Sequence, residues 1–198
     1  IFGIHDLCFH YITIYSWKQM KVRKIILKIL KNILSYTHMR ILGIDPGYGI
    51  VGFGVIDYVN GQYNVVDYGV IETPKEEAIP VRLAMIYEGI KSLIDTYQPD
   101  EMAVEELFYF KNQTTVIPVA EARGVILLAG INQNANIFEY TPLQIKQALT
   151  GNGRAEKAQV QYMVTALLGL KSIPKPDDAA DALAVAITHA NFNQTLLN

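Results

Sequence analysis

Apolar residues recur along this chain with two different periods, and the switches between them mark its elements. Ile41 to Ile44 is a short apolar run that reads as a buried strand. It ends in Asp45-Pro46-Gly47, which is turn chemistry: Pro46 fixes its own φ and keeps Asp45 out of the helical region. Val51 to Tyr58 alternates with period two, Asn60-Gly61 is a hairpin signal, and Tyr63 to Thr73 is a third strand. After a polar connection from Pro74 to Pro80, the period changes. Leu83, Ile86, Tyr87, Ile90, Leu93, Ile94 and Tyr97 recur at three and four, so Val81 to Tyr97 is an amphipathic helix that Gln98-Pro99-Asp100 stops.

Glu101 to Glu105 reads as a fourth strand, followed by an aromatic and polar loop from Glu106 to Asn112. A helix is expected from about Thr115 to Asn134, with Pro118 in its first turn, then a fifth strand at Ile137 to Tyr140. Thr141 caps a helix that opens on Pro142 and runs to Leu149. Thr150 to Arg154 is a Gly-containing loop, Ala155 to Leu168 is helical, Lys171 to Pro176 is a Pro-interrupted linker, and the last helix spans Asp177 to Asn191. Three meandering strands followed by alternating helices and strands predict an α/β fold. Its five-stranded sheet is mixed, three strands antiparallel and two parallel, with helices on its faces.

Composition narrows the class. The chain has 198 residues, is 51% hydrophobic and 18% charged, and so can bury one core. Its single cysteine, Cys8, excludes an intramolecular disulfide framework and a Cys-rich zinc site, and it fits a reducing cytoplasm. Charge is uneven. Residues 1–38 carry six lysines and arginines against Asp6 alone, whereas the rest carries 11 basic and 18 acidic residues. An acidic body argues against a nonspecific DNA coat but not against a DNA enzyme whose acids gather in a metal site.

The first 38 residues admit two readings. Val22, Ile25, Ile26, Ile29, Leu30, Ile33 and Leu34 share a helical face, with lysines 21, 24, 28 and 31 on the others, a pattern suited to a membrane surface or a partner groove. The simpler expectation is an N-terminal extension outside the fold, with the domain occupying 39–198: the composition is biased to Ile, Lys and Tyr, and Met39 immediately precedes the first strand. No apolar run approaches the roughly 18 residues of a membrane span, so no membrane association is expected of the body.

Four carboxylates carry the chemistry. Asp45 ends the first strand and Glu105 the fourth, and βαβ connectivity can lay those strands side by side. Asp178 and Asp181 are three apart, on one helical face, among small alanines that let the helix lie close to the sheet. Packed acids repel and their pKa values rise, so the arrangement becomes favourable around divalent cations. Oxygen-only ligands suit Mg²⁺ or Mn²⁺, and two such ions about 3.5–4 Å apart can clamp a phosphodiester. Taken singly, Asp178 reads equally as an N-cap, Asp181 as a first-turn dipole partner and Glu105 as a solvated strand end.

Met39-Arg-Ile-Leu-Gly-Ile-Asp-Pro-Gly with Gly52-Phe-Gly-Val, Ala103-Val-Glu-Glu-Leu-Phe, Lys111-Asn112, Glu121-Ala-Arg-Gly-Val, Gln144-Ile-Lys-Gln, Ala155-Glu-Lys-Ala-Gln-Val and Asp178-Ala-Ala-Asp-Ala-Leu-Ala-Val-Ala-Ile-Thr-His form one ordered series. It resembles the RuvC family, the bacterial Holliday junction resolvases, from residue 39 to about 193; residues 1–38 have no counterpart. The resemblance implies an RNase H-like fold, a cytoplasmic homodimer working with a branch-migration motor, and Mg²⁺-dependent paired nicking of like-polarity strands at a four-way DNA junction. By motif position it implies Asp45, Glu105, Asp178 and Asp181 as ligands of one or two ions, and Lys146 and Lys157 as basic residues near the scissile strand. Phe108 would stack at the opened junction, with Lys111, Asn112 and Arg154 on the DNA. Read without it, the lysines are ordinary solvated helix charges and Phe108 a core or contact aromatic.

Other residues carry less. Gly151 to Arg154 ahead of a helix looks phosphate-friendly through its amides and one cation, or is a plain connection. His189 is expected to be packed or capping, with a general-base role as the alternative. Ala122, Gly124 and Ala129 would permit close helix pairing, which puts a dimer contact on that helix with Arg123 structural or at the contact. A local basic groove is expected from Lys111, Arg123, Lys146, Arg154 and Lys157. Competing classes are an actin or sugar-kinase-like ATPase, for which Gly-Ile-Asp-Pro-Gly could open a phosphate loop, a noncatalytic junction binder, and an RNase H-like nuclease acting on RNA.

Overall fold

A central sheet sorts the side chains into two populations by simple alternation. The computed structural model describes residues 38–107 and 116–195. Strands β1 (His38–Asp45), β2 (Ile50–Val59) and β3 (Gln62–Glu72) are followed by α1 (Ile79–Tyr97), β4 (Glu101–Glu105), α2 (Val116–Asn132) and β5 (Asn136–Tyr140). The chain then runs through α3 (Pro142–Thr150), α4 (Lys157–Leu167) and α5 (Asp177–Thr195). The strand order is β3-β2-β1-β4-β5. β2 and β3 are antiparallel, and β1 with β4 and β4 with β5 are parallel. Neighbouring strands joined by the short link from Pro46 to Gly49 can only run antiparallel, so the meander precedes a parallel pair, as the hydrophobic pattern predicts. Among the described residues, no helix is long and apolar enough to cross a membrane.

Alternation places Leu42, Ile44, Met102 and Val104 on one face, packed with Ile86, Ile90, Ile94, Ala122 and Ile126 of α1 and α2. Ile41 and Ala103 point to the other face, against Leu183, Val185, Ala186 and Ile187 of α5 and against Ile145, Val160 and Val164 of α3 and α4. Helix α5 is buried almost all round: residues 182–190 are all buried. A bidentate pair ties β1 to β2, Arg40 Nε and Nη2 lying 2.7 and 2.9 Å from the Asp57 oxygens.

Several boundaries differ from the pattern. α1 starts at Ile79 and holds Pro80 in its first turn, where the missing N–H has no helical partner to lose, so the proline opens the helix rather than ending the linker. α2 stops at Asn132 because Asn134 takes a left-handed φ of 58°. Ala155 lies outside α4, whose N-cap is Glu156; Gln159 reaches back to accept from the Glu156 N–H at 2.9 Å. β1 begins at His38, inside the expected boundary of the extension. In β3 the pairing skips Val66 opposite Val55 and Ile56, a bulge that lets Tyr63 and Tyr68 both pack on the α5 side while Ile71 packs on the α1 side.

Candidate active site

Asp45 and Glu105 reach one place because β1 and β4 run parallel and in register, Gly43 opposite Ala103 and Ile44 opposite Val104. Each acid is the last residue of its strand, and alternation turns both toward α5. The helix comes close because glycines leave room for it. A Cβ on Gly43 would lie 2.3 Å from the Ala182 carbonyl oxygen, and one on Gly52 would lie 2.0 Å from that of Asp178. Backbone thus packs on backbone over the first two turns of α5, which carry Asp178 and Asp181 to the strand ends.

Two basic residues come from the other helices. The Thr141 capping box, with Gln144 N donating to Thr141 Oγ1 at 3.2 Å and Thr141 N to Gln144 Oε1 at 2.8 Å, fixes the start of α3. That orients Ile145 into the core and Lys146 toward the acids. From α4, Lys157 Nζ lies 2.8 Å from Asp181 Oδ2 and 3.7 Å from Asp177 Oδ2. Asp45, Glu105 and Asp181 share with Lys146 and Lys157 a cavity of about 270 Å³ floored by Ile145, Val160 and Ala184. Asp178 does not line this cavity, yet its charge acts on both Asp45 and Asp181.

Electrostatics follow from that crowding. Burial, then the charges of Asp181 and Asp178, push the Asp45 carboxyl up to about 7, against the opposing pull of Lys157 and a hydrogen bond with Glu105. Burial and the neighbouring Asp45 and Asp181 push Glu105 up to about 8. Asp45 and Glu105 therefore titrate as a pair. Burial also raises Asp181, partly offset by its bond to Lys157. For Lys157, burial alone would lower the ammonium, but the hydrogen bond to Asp181 and the fields of Asp181, Asp177 and Asp45 carry it above its ordinary value.

The donor set is short of positive charge and offers only carboxylate oxygens, which fits a hard divalent cation better than a soft one. Among the described residues, no three acids already stand as a finished coordination shell. Asp181 is engaged by Lys157, so holding a cation requires that side chain to change partner.

The remaining candidates fall elsewhere. Phe108, Lys111 and Asn112 lie outside the described residues. Arg154 is exposed beside the α4 start. The amides of its loop are spent within the chain: Gly153 N donates to Gln147 Oε1 and Arg154 N to Asn152 Oδ1, each at 3.0 Å. That removes the backbone half of the expected phosphate loop and leaves the Arg154 guanidinium. Arg123 pairs with Glu139, and Glu139 follows Ile137 onto the α1/α2 face. It therefore stands on the far side of the sheet from the acids and drops out of the expected basic groove.

His189 is fully buried, with Nε2 2.5 Å from Glu101 Oε2 and Nδ1 2.7 Å from the Tyr140 hydroxyl, so it is packed as expected. Sequence reasoning missed Asp177 as a second partner of Lys157, and it missed Arg82, which is buried under the β1–β2 turn. The available signal for Arg82 was its spacing: it stands one turn before Ile86, in line with Ile90 and Ile94.

Comparison with known proteins bears on this geometry. Residues 41–189 match the family model described as crossover junction endodeoxyribonuclease RuvC. The chain belongs to the RuvC family. It is 57% identical over 153 residues to a Fusobacterium nucleatum protein named crossover junction endodeoxyribonuclease RuvC, covering 77% of this chain and 80% of that one. A Petrotoga mobilis RuvC is 56% identical over 160 residues, 81% of this chain and 98% of its own. Among solved structures, Thermus thermophilus RuvC in complex with a Holliday junction substrate matches with a TM-score of 0.75 at 36% identity, over 80% of this chain and 96% of that one. The RNase H-like fold expected from the sequence is the fold of these RuvC structures.

Proposed function

We propose that this RuvC chain is a structure-selective endonuclease that resolves Holliday junctions by paired nicks in strands of like polarity. The observation that carries the reading is the meeting of Asp45, Glu105 and Asp181 with Lys146 and Lys157 around one cavity, in a chain whose family is named for this reaction. When bound, Mg²⁺ or Mn²⁺, one or two ions per subunit, supplies the Lewis acidity that makes water a nucleophile near neutral pH and offsets charge on the leaving 3′ oxygen. Asp45, Glu105, Asp178 and Asp181 would hold it. Partial burial of Asp45, Glu105 and Asp181 would strengthen their charges toward a bound ion relative to open water.

Lys157, which pairs with Asp181, would pass its ammonium to a phosphate oxygen, and Lys146 lines the same cavity. Both would stabilise charge that grows on the phosphate as the water attacks. Arg154, with Phe108, Lys111 and Asn112, would contact the junction arms and the unpaired bases. An aromatic face stacked on a base is worth about 1–3 kcal/mol. Contacts to phosphates make binding fall with added salt.

A two-fold junction calls for two sites, so the reading includes a homodimer. Its contact would lie on α2, where Ile117, Leu128 and Ile131 are 68%, 54% and 61% exposed and, with Gly124 between them, line up along one helical face. Residues 1–38 would be an extension to a nuclease domain at 39–198. A bacterial cytoplasm and a branch-migration motor complete the reading.

The experiment is cleavage of a four-way junction, a linear duplex and an RNA–DNA hybrid, each with Mg²⁺ and with EDTA. Paired nicks confined to the junction and lost in EDTA are expected. Preference for the hybrid, or cleavage that survives EDTA, would refute the reading.

A further inference from the structure

Arg82 is 3% exposed, and among the described residues its guanidinium meets no carboxylate. Its partners are neutral. Nε donates to Thr73 Oγ1 at 2.9 Å, and Nη2 lies 3.3 Å from each of the Tyr48 and Thr73 carbonyl oxygens. The guanidinium carbon stands 3.8 Å above the Tyr48 ring. Thr73 completes the lattice, its hydroxyl donating to Tyr48 O at 2.8 Å and its N–H to Gly49 O at 2.9 Å. The packing is tight: a Cβ on Gly49 would come within 3.3 Å of Arg82 Nη2.

A charge buried among neutral acceptors is an expensive way to fill space, and an apolar side chain of similar volume commonly serves stability as well or better. What the charge adds here is direction. One donor, Nη2, reaches the Tyr48 carbonyl of the turn that follows Asp45, and Nε and Nη2 also hold Thr73, whose hydroxyl and N–H in turn bond Tyr48 O and Gly49 O. Pro46, the next residue, has no N–H with which the main chain could anchor itself. The turn is therefore pinned at Tyr48 and Gly49, from the end of β3 and the first turn of α1. We infer that Arg82 is a positioning residue for the nicking reaction: it clamps the Pro46–Gly49 turn and so fixes the direction in which the Asp45 carboxylate leaves β1.

The inference rests on the nuclease reading, and its test keeps the two apart. Arg82→Met and Arg82→Lys are compared with wild type in three measurements: binding of Mn²⁺ alone by EPR titration, junction affinity in EDTA, and kcat for junction nicking. For Arg82→Met the expected result is Mn²⁺ affinity weaker by roughly tenfold and kcat lower by about 10–100-fold, the range for residues that orient a metal ligand. Junction Kd in EDTA should stay within about twofold, because the proposed DNA contacts, Arg154 among them, do not include Arg82. Arg82→Lys should recover only part of the loss, since a point charge cannot fork between two carbonyls and a hydroxyl.

Wild-type Mn²⁺ affinity in a folded Arg82→Met protein overturns the inference. So does a kcat loss that only tracks the unfolded fraction. If Arg82→Met does not fold, Thr73→Val removes one anchor and keeps the charge. It should weaken Mn²⁺ binding in the same direction by about three- to fivefold, and wild-type binding there overturns the inference. A wild-type protein that fails to nick junctions refutes the nuclease reading, while the Mn²⁺ titration still decides the role of Arg82.

Discussion

The two faces of the sheet each carry an aliphatic core but differ in what is set against the strand ends. The face toward α1 and α2 is a set of large aliphatic side chains, Leu42, Ile44, Ile86, Ile90, Met102 and Ile126, all fully buried. The face toward α5 has glycines at 43 and 52, alanines at 103, 182 and 186, and carboxylates at its rim. Large interlocking side chains give stability and tolerate volume-conserving exchange. Small residues bring backbones close, and the acids they bring together repel. Both faces hold the domain together, Ile41, Ile56, Leu183 and Ile187 on the second, but the second also gives up some stability for the placement of charge.

That contrast can be broken most directly at its acid end. Asp45→Asn keeps shape and removes a charge, and junction nicking should fall on the order of 10³-fold or more. Nicking within tenfold of wild type would remove the carboxylates from the chemistry. Next in size is Gly52→Ala, whose Cβ would stand 2.0 Å from the Asp178 carbonyl. Displacing the start of α5 by even ~1 Å should cost roughly 10²-fold in kcat, and a crystal structure of the variant would show the shift.

Leu128→Glu tests the outer edge of the apolar face. It should turn a dimer into a monomer by sedimentation and uncouple the two nicks, leaving singly nicked junctions as the main product. A variant that stays dimeric would move the contact away from α2.

A pH effect separates the faces thermodynamically. The Asp45 and Glu105 carboxyls sit at about 7 and about 8 when folded, above their ordinary values. The folded state therefore binds more protons than the unfolded one between roughly pH 4 and 8, so stability in EDTA falls as pH rises through that window. Asp45→Asn should raise Tm at pH 8 in EDTA by several degrees, about 3–8 °C, with the gain shrinking toward pH 4. A Tm independent of pH from 5 to 8, in wild type and variant alike, would contradict it. The smallest effect is on the other face: Ile126→Val should lower stability by about 1 kcal/mol and leave nicking per folded molecule unchanged.

Much of the α5 face was legible in the chain because it depends on order and short spacing. Asp45 follows an apolar run, Asp178 and Asp181 are three apart, and the βαβ rule puts β4 beside β1. The elements that escaped depend on tertiary contact. Pro80 looked like the end of a linker, because a proline that opens a helix and one that closes a loop are the same residue until the first turn is seen. Arg123 looked basic and available, but strand alternation on β5 puts its partner Glu139 on the far face. Gly151 to Arg154 has the composition of an anion loop, and only the bonds from Gln147 and Asn152 show that its amides are taken. Arg82 was overlooked although it is spaced in line with Ile86, Ile90 and Ile94, because a charged side chain on an amphipathic helix is ordinarily solvated and its burial is decided by Tyr48 and Thr73.

A Mn²⁺-soaked crystal, read by anomalous scattering, tests the central claim most directly. The account predicts a peak roughly 2 Å from oxygens of Asp45, Glu105 and at least one of Asp178 and Asp181, with Lys157 turned away from Asp181. A well-ordered crystal with no peak at the strand ends, or a peak held by other residues, would contradict it.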